Sequence, residues 1–190
     1  GITPPRLASY APRIWDYWER NLDPDLFVDR TLEGQVKDRV VLITGGSAGI
    51  GKAAAIRLAG AGARVVITAR TQGKLDETCA EIATQGGQAF SYVCDGADLE
   101  SVDRVMQQIE AEHGGVDILI NNAGRSIRRG VESSYDRFHD FERTMQLNYF
   151  GCLRTTMGLL PQMAAKRSGH VVNISSIGVL TNAPRFSAYV

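Results

Sequence analysis

Val40-Val41-Leu42-Ile43-Thr44-Gly45-Gly46-Ser47-Ala48-Gly49-Ile50-Gly51 is the stretch that decides the fold. Its apolar first half predicts a buried parallel strand, and the glycines after it predict a tight turn. The alanine-rich run from Lys52 to Gly60 then predicts a helix. Because glycine has no Cβ, such a turn lets backbone N–H groups at a helix N-terminus face a pyrophosphate. The stretch predicts a dinucleotide-binding loop, and a merely structural glycine turn is the alternative.

The rest of the chain from Arg39 onward alternates short apolar strands with helical patterns. Strands are predicted near residues 40–44, 64–68, 89–93, 117–121 and 170–175, and helices near 49–60, 72–85, 99–113 and 136–166. Asp98 is a predicted N-cap of the third helix. This alternation is typical of an α/β fold with a doubly wound, Rossmann-like parallel sheet. Since such a fold is expected to need a sixth strand, we expect its C-terminal part to be missing from these residues.

Composition limits the possible partners and the cellular compartment. The chain has 190 residues, with 21 acidic residues balancing 21 Lys plus Arg, so no overall field points to nucleic acid or to an anionic membrane. Its three cysteines are too few and too widely spaced for a disulfide framework. No leader or long apolar run is present, which predicts a cytoplasmic protein without an integral membrane segment.

Residues 1–38 differ from the rest because they hold four of the six prolines and both tryptophans. The spacing of Ile14, Trp15, Tyr17, Trp18 and Leu22 predicts a short amphipathic helix. We interpret residues 1–38 as an N-terminal arm or interdomain linker, and residues 39–190 as one Rossmann-like domain. The aromatic side chains either pack on the chain's own surface or contact an upstream domain or partner.

The end of the second predicted strand carries a basic residue. An acid at this position bonds the ribose 2′-hydroxyl of NAD, whereas an arginine accommodates the 2′-phosphate of NADP. Here Ala69 is neutral and Arg70 is basic, which favours NADP(H). The alternative is that Arg70 is a solvated loop charge.

Polar residues also follow the third and fourth predicted strands. Asp95 could accept a hydrogen bond from an adenine amine, and Asn121-Asn122-Ala123-Gly124 suits a strand end that passes close to a flat cofactor. Either group alone could be an ordinary turn. Their succession at the carboxyl ends of neighbouring strands favours binding, because ligands bind along that edge.

From Arg39 to Val190 the chain resembles the classical short-chain dehydrogenase/reductases. The resemblance rests on Thr44 to Gly51, Asp95, Asn121 to Gly124, Asn148 within Leu147-Asn148-Tyr149-Phe150-Gly151, and Asn173-Ile174-Ser175-Ser176 followed by Tyr189. It departs from the family at Gly96, where a branched apolar residue is usual. The cofactor-binding residues that it implies are Gly45, Ser47, Gly49, Ile50, Gly51, Arg70, Asp95, Asn122, Ala123, Gly124 and Tyr189.

The same resemblance implies three catalytic residues. The family's serine precedes its tyrosine by thirteen residues, which selects Ser176 rather than Ser175 as the residue that holds the substrate oxygen. Tyr189 is then the general acid, and Asn148 positions a water in the proton relay. The family places a lysine four residues after the tyrosine, at position 193, which follows the last residue, Val190. We expect the molecule to continue beyond Val190 and to supply this lysine. Without it, residues 1–190 alone could not catalyse the reaction.

Three arginines lie directly after the fourth-strand motif, in Arg125-Ser126-Ile127-Arg128-Arg129. They suit phosphate recognition, although a solvated charge run is the alternative. The segment Gly124 to Phe150 resembles the reductases of fatty acyl-CoA thioesters, and the arm from Tyr17 to Asp25 is similar to the linker in their two-domain members. The resemblance thus implies NADPH-dependent hydride transfer to a carbonyl, in a homo-oligomer with a possible upstream reductase domain. The implied substrate is a small acyl molecule, a long-chain fatty acyl-CoA or the derived aldehyde.

Two alternatives remain beside this interpretation. The protein could reduce 3-oxoacyl groups or other ketones, or it could be a non-catalytic NADP-binding or docking module. Cys152, four residues after Asn148, could be imagined as an acyl-accepting thiol, but a small buried side chain is favoured. His113, His139 and His170 show no ligand spacing, so no metal site is predicted.

Overall fold

The computed structural model describes residues 31–181 and 184–189. The chain divides into two units, residues 1–35 and residues 36–190, and the elements below belong to the second unit except for the start of the first helix. That helix is α1, Leu32–Val36. The amphipathic helix predicted around Trp15 and Trp18 lies outside the described residues, as do residues 1–30 of the predicted arm.

One five-stranded sheet organises the second unit. Its strands are β1 (Val40–Thr44), β2 (Arg64–Ala69), β3 (Gln88–Val93), β4 (Ile118–Asn121) and β5 (His170–Asn173). Their order is β3-β2-β1-β4-β5, and all four pairings are parallel. The predicted doubly wound α/β fold is confirmed. The strand order reverses between β1 and β4, which is where ligands bind in such sheets.

The helices that connect these strands begin and end close to the predicted positions. They are α2 (Gly49–Gly60), α3 (Gln72–Thr84), α4 (Leu99–His113), α5 (Phe138–Met145) and α6 (Cys152–Lys166). A short helix, α7 (Gly178–Thr181), follows β5, where no helix is predicted. Asp98 caps α4 as predicted, because its Oδ1 accepts hydrogen bonds from the N–H groups of Glu100 and Ser101 at 3.1 and 3.3 Å. The helix predicted over 136–166 is instead two α-helices joined by one wide π-helical stretch, Gln146–Gly151.

Two apolar clusters cover the two faces of the sheet. On one face the side chains of β1, β2 and β4 pack against α4 and α6, with Leu42, Leu119 and Ile109 fully buried. On the other face Ile43 and Ile67 pack against α2 and α3. Both faces of β1 are therefore inaccessible to water, which explains its continuous apolar sequence.

The fifth strand is shorter than predicted. It ends at Asn173 rather than at residue 175, because its partner β4 ends at Asn121, which pairs with Asn173. One more hydrogen bond, from Ile174 N to Asn121 O at 2.9 Å, closes the ladder. Ser175 and Ser176 consequently lie on a loop beyond the carboxyl edge of the sheet.

Candidate active site

The glycine loop between β1 and α2 has a backbone that needs glycine. Gly45 and Gly49 have φ angles of +69° and +54°, in the left-handed region that residues with a Cβ rarely adopt. The N–H groups of Gly45 and Gly46 both donate to the carbonyl of Thr68, at 2.8 and 3.2 Å. The loop is thereby attached to the end of β2.

A second set of hydrogen bonds attaches the loop to the end of β4. Thr44 Oγ1 accepts from the N–H groups of Asn122 and Ala123, both at 3.0 Å. The Asn122 side-chain amide donates to the carbonyls of Thr44 and Gly45, at 3.0 and 3.3 Å. Three strand ends are thus joined around one turn, at the point where the strand order reverses.

The N-terminus of α2 is available to an anion. Its N-cap, Ala48, has no side chain able to accept the first N–H groups of the helix. Ala48 and Gly49, at the start of this helix, line a cleft of about 410 Å³. The cleft is lined by the glycine loop, the ends of β2 and β3 and the residues after β4. Exposed N–H donors beside small residues fit the pyrophosphate and ribose groups of a dinucleotide.

The structure brings most of the predicted cofactor-binding residues into this cleft. Those that line it are Gly45, Ser47, Gly49, Arg70, Asp95, Asn122, Ala123 and Gly124. Gly51 does not line it; a Cβ at Gly51 would overlap the Gly45 carbonyl oxygen, so this glycine permits close packing of α2 on the loop. Ile50, 69% exposed, and Tyr189 line a neighbouring cavity instead.

Two functional contributors to the cleft escaped the sequence reasoning. Lys74, one turn into α3, adds a second cation beside Arg70. The sequence feature that could have identified Lys74 is its position four residues after Arg70, at the beginning of a predicted helix. Leu147, from the π-helical stretch, also lines the cleft, and no local sequence pattern links it to the ends of β2 and β3.

The neighbouring cavity, about 790 Å³, contains all three predicted catalytic residues. Asn148, Ser176 and Tyr189 line it, and it shares Asn122 to Gly124 with the cleft. A ligand lying along the shared wall would extend from the glycine loop to these three side chains. Much of the remaining lining is apolar and exposed, including Tyr149, Leu153, Ile174 and Val179.

Asn148 lies in the middle of the π-helical stretch, Gln146–Gly151. Its Oδ1 accepts from the N–H of Arg125 at 2.8 Å, and its Nδ2 donates to the carbonyl of Arg125 at 2.9 Å. One lone pair and one N–H of this amide remain for a water or a ligand. Asn148 therefore holds the loop after β4 against the helix while keeping one donor and one acceptor for the cavity. Single π-helical turns often occur at functional sites.

Ser176 and Tyr189 are held by short-range contacts on their loops. Ser176 Oγ accepts from Gly178 N at 3.1 Å, which leaves its hydroxyl proton free to donate. Tyr189 N donates to the carbonyl of Phe186 at 2.8 Å. Phe186 forms an isolated parallel bridge with Arg129.

The buried carboxylate of Asp140 stabilises the loop that carries Arg129, which forms the bridge with Phe186. Asp140, 4% exposed, lies 3.2 Å from Arg129 Nε and 3.0 Å from Arg137 Nε. Burial works to raise the pKa of Asp140, but the hydrogen bond from Arg137 and the charges of Arg137, His139 and Arg129 hold it below its usual value. Asp140 is thus ionised at neutral pH and fixes Arg129 beside the segment that carries Tyr189.

Cys152 also lines the larger cavity, half-buried rather than fully buried as expected. Burial raises the pKa of its thiol. Its Sγ lies 3.5 Å from Asn173 Oδ1. A thiol that stays protonated at neutral pH is a poor nucleophile, so the geometry gives no support to an acyl-accepting cysteine.

A glycine loop joined to three strand ends, with an open helix N-terminus at the reversal of a parallel sheet, defines a doubly wound protein of the dinucleotide-binding class. The family model for short chain dehydrogenases matches residues 39–190. The chain therefore belongs to the short-chain dehydrogenase/reductase family, as the resemblance predicted.

Individual relatives agree with this assignment. The chain is 59% identical over 155 residues to a fatty acyl-CoA reductase of Acinetobacter baylyi, covering 82% of this chain and 52% of that protein. It is 43% identical to a fatty acyl-CoA reductase of Mycobacterium tuberculosis, covering 88% of this chain and 58% of that protein. The predicted closeness to fatty acyl-CoA reductases is confirmed. The chain spans somewhat more than half the length of these curated relatives.

Solved structures agree on the fold and differ in their cofactors. A metagenomic short-chain oxidoreductase in complex with NADP has a TM-score of 0.76 and 32% identity, over 81% of this chain and 69% of that one. An NAD⁺-bound xylitol dehydrogenase also has a TM-score of 0.76, with 29% identity over 82% of this chain and 59% of that one. The comparisons therefore support a nicotinamide cofactor.

Within residues 31–181 and 184–189, no three His, Cys, Asp or Glu side chains are grouped as a metal site would require. Over the same residues, no helix has both the length and the apolar character needed to cross a bilayer.

Proposed function

We propose that the protein is an NADPH-dependent oxidoreductase that transfers hydride to the carbonyl of a long-chain fatty acyl-CoA thioester or of the derived fatty aldehyde. The observation that carries this proposal is the common cavity of Ser176, Tyr189 and Asn148, which shares a wall with the dinucleotide cleft. The similarity to the fatty acyl-CoA reductases of Acinetobacter and Mycobacterium supports the acyl-CoA substrate.

Ser176 and Tyr189 act on the carbonyl oxygen in this proposal, and Asn148 positions a water in the proton relay. A reduced nicotinamide supplies the hydride when it is bound. Negative charge then develops on the carbonyl oxygen, where the free hydroxyl proton of Ser176 donates a hydrogen bond and Tyr189 donates the proton that completes the alcohol. With a thioester, the carbon–sulfur bond breaks instead and the CoA thiolate leaves, which gives the aldehyde. Because an isolated tyrosine has a pKa near 10, Tyr189 needs a nearby cation to work at neutral pH.

The preference for NADPH rests on charge at the end of β2. Arg70 and Lys74 both line the cleft beside the neutral Ala69, and no acid follows β2 to receive a ribose 2′-hydroxyl. An arginine at this place accommodates a 2′-phosphate. The cofactor proposal is thus independent of the choice of substrate.

The larger cavity favours an apolar substrate. Tyr149, Leu153, Ile174 and Val179 add apolar surface to its polar centre, and its volume of about 790 Å³ lies within the range of small-molecule sites. Such a lining suits an alkyl chain better than a polyol. This supports the fatty acyl proposal over the sugar alcohol that the xylitol dehydrogenase is named for.

The test is NADPH oxidation by the purified protein at its full natural length, with three substrates in parallel. We expect turnover with a long-chain acyl-CoA and with the matching fatty aldehyde, and none with a 3-oxoacyl thioester. Turnover of the 3-oxoacyl thioester alone would favour a ketone reductase. NADPH binding without turnover of any carbonyl, unchanged in Tyr189→Phe, would indicate a non-catalytic module.

We further propose that the protein is a cytoplasmic homo-oligomer, with residues 1–38 linking the reductase domain of residues 39–190 to an upstream reductase domain. Four residues of the π-helical stretch and α6, Tyr149, Leu153, Met157 and Leu160, are between 42% and 57% exposed. Large apolar side chains in such a row favour association. Analytical ultracentrifugation would show a single monomeric species if this proposal were wrong.

A further inference from the structure

A third, smaller cavity adjoins the dinucleotide cleft and is lined by three arginines. It measures about 220 Å³ and is formed by Arg70 after β2, Arg125 after β4 and Arg143 of α5, together with Asp95. Since a water molecule occupies roughly 30 Å³ in the liquid, the cavity has room for a phosphate group. Residues from three distant segments therefore bring their guanidinium groups to one small space.

These three guanidinium groups have no protein partner among the described residues. Other arginines near them are paired: Arg129 and Arg137 contact Asp140, and Arg154 forms a bidentate pair with Asp103. No hydrogen bond or ion pair involves the side chains of Arg70, Arg125 or Arg143 in residues 31–181 and 184–189. Asp95 is itself engaged, accepting from Ala97 N at 3.0 Å.

The structure also separates the members of the Arg125 to Arg129 run. Arg125 reaches the small cavity, Arg129 lies against Asp140, and Arg128 is exposed and lines none of the three cavities. The run is therefore not one uniform solvated patch. Asn148 fixes the backbone of Arg125 with two hydrogen bonds, which limits the positions its side chain can reach.

We infer that Arg125 and Arg143, with Arg70, form a phosphate-binding subsite for a phosphate monoester on an adenine nucleotide. Three guanidinium groups against one carboxylate leave two positive charges in excess, which matches a monoester that carries about two negative charges at neutral pH. Arginine is suited to phosphate because its planar fork donates two parallel hydrogen bonds. This inference rests on the proposed function, because the two candidate sources of the phosphate are both ligands of the proposed reaction.

Two ligands of the proposed reaction carry this chemistry. One is NADPH, through its 2′-phosphate, and the other is the acyl-CoA, through the 3′-phosphate of its adenosine. The small cavity shares Arg70, Asp95 and Leu147 with the dinucleotide cleft, and it shares Arg125 with the larger cavity. The 2′-phosphate of NADPH would therefore reach it from the cleft, and the 3′-phosphate of acyl-CoA would reach it from the larger cavity.

The experiment measures binding by calorimetry and needs no turnover. Adenosine 2′,5′-bisphosphate and adenosine 3′,5′-bisphosphate serve as probes, with adenosine 5′-monophosphate as the reference. The variants are Arg125→Gln and Arg143→Gln, and Arg128→Gln is the matched control because it removes the same charge from the same loop. We expect each of the first two variants to weaken one bisphosphate about tenfold relative to the monophosphate, as the loss of a charge-assisted hydrogen bond would.

The selectivity of the loss identifies the source. A loss confined to the 3′,5′-probe assigns the subsite to the acyl-CoA and predicts a higher KM for acyl-CoA but not for the fatty aldehyde. A loss confined to the 2′,5′-probe assigns it to NADPH. Bisphosphate affinities unchanged in both variants, or lowered equally in Arg128→Gln, would overturn the subsite. Selective losses without turnover would refute the proposed function and leave the subsite standing.

Discussion

The dinucleotide cleft and the larger cavity share a wall but are built differently. The cleft is formed by strand ends and by one continuous turn, whose N–H groups are hydrogen-bonded to β2 and whose carbonyls are hydrogen-bonded to the segment after β4. The cavity takes Asn148, Ser176 and Tyr189 from three separate segments, two of them loops. Damage to the cleft should therefore affect folding and binding together, whereas damage to the cavity should affect the reaction alone.

The largest effect is expected from a substitution in the larger cavity. Tyr189→Phe removes only the phenolic hydroxyl that would donate the proton. We expect kcat for a fatty aldehyde to fall about 10²–10⁴-fold, since that is the usual contribution of a positioned general acid. The dissociation constant for NADPH, measured by fluorescence titration, should stay the same because the cleft is untouched.

Tyr135→Phe is the matched control for this substitution. Tyr135 is 81% exposed and lines none of the cavities, so its variant should keep the parental kcat. Equal losses in the two variants would mean that Tyr189 does not act as the acid.

A smaller effect tests the cleft side. In Gly51→Ala the added methyl group meets the Gly45 carbonyl oxygen and lies 2.5 Å from Asn122 Nδ2, so the loop or α2 must shift. We expect the free energy of unfolding to fall by about 1–3 kcal/mol, as for other overpacked sites, and NADPH binding to weaken with it. Urea denaturation and the same fluorescence titration measure the two quantities.

Gly73→Ala provides the control for Gly51→Ala. A Cβ at Gly73, in the first turn of α3, has no heavy atom within 4 Å. Alanine should leave binding intact and raise the free energy of unfolding by up to about 1 kcal/mol, because it favours helix more than glycine does. If Gly51→Ala behaved like Gly73→Ala, the close packing at the loop would not matter for either quantity.

The smallest expected effect concerns His113, which lines neither the dinucleotide cleft nor the larger cavity. His113 Nε2 lies 2.7 Å from the Tyr92 hydroxyl, and its Nδ1 lies 3.4 Å from Arg64; Glu112 and the Phe90 ring are also close. Burial, and then the charge of Arg64, lowers the pKa of His113 below its ordinary value of 6.5, with Glu112 opposing them.

Because the pKa of His113 is lower in the folded chain than in the unfolded chain, the free energy of unfolding depends on pH. As pH falls below 6.5 the unfolded chain takes up the proton before the folded chain does, so the free energy of unfolding decreases until the lower folded pKa is passed. The slope is smaller than the ~1.4 kcal/mol per pH unit that one proton can contribute. His113→Gln should flatten the urea-denaturation slope between pH 7 and 5 and leave NADPH affinity unchanged. A slope that persists in the variant would assign it to other groups.

The features that could be predicted from the sequence are those that depend on local patterns of residues. The order of strands and helices, and the Asp98 cap, follow from local patterns of apolar and polar residues, and they are confirmed. Arg70 and Asp95 were predicted from their places at the ends of strands whose positions the apolar runs reveal, whereas Ser47 came from the family resemblance. The edge of a parallel sheet then brings such residues together.

What escaped prediction depends on contacts between distant segments. The π-helical stretch of Gln146–Gly151 has no distinctive composition, and strand β5 ends where its partner ends rather than where its apolar residues do. Arg143 of α5 lines one small cavity together with Arg70 and Arg125, although the three residues come from segments that are far apart in the sequence. The roles of Ser176, Tyr189 and Asn148 came from family resemblance and stay predictions.

The reversal of strand order between β1 and β4 also bears on how the chain folds. β1, β2 and β3 pair with their neighbours in sequence, but the backbone hydrogen bond from Asp117 N to Val40 O, at the start of the pairing of β1 with β4, joins residues 77 positions apart. Closing so long a loop is entropically costly, and contacts of this range slow folding. Since Asn122 completes the glycine loop, we expect a chain emerging from the ribosome to acquire cofactor affinity only after β4 has docked, so that NADPH reports a late step of folding.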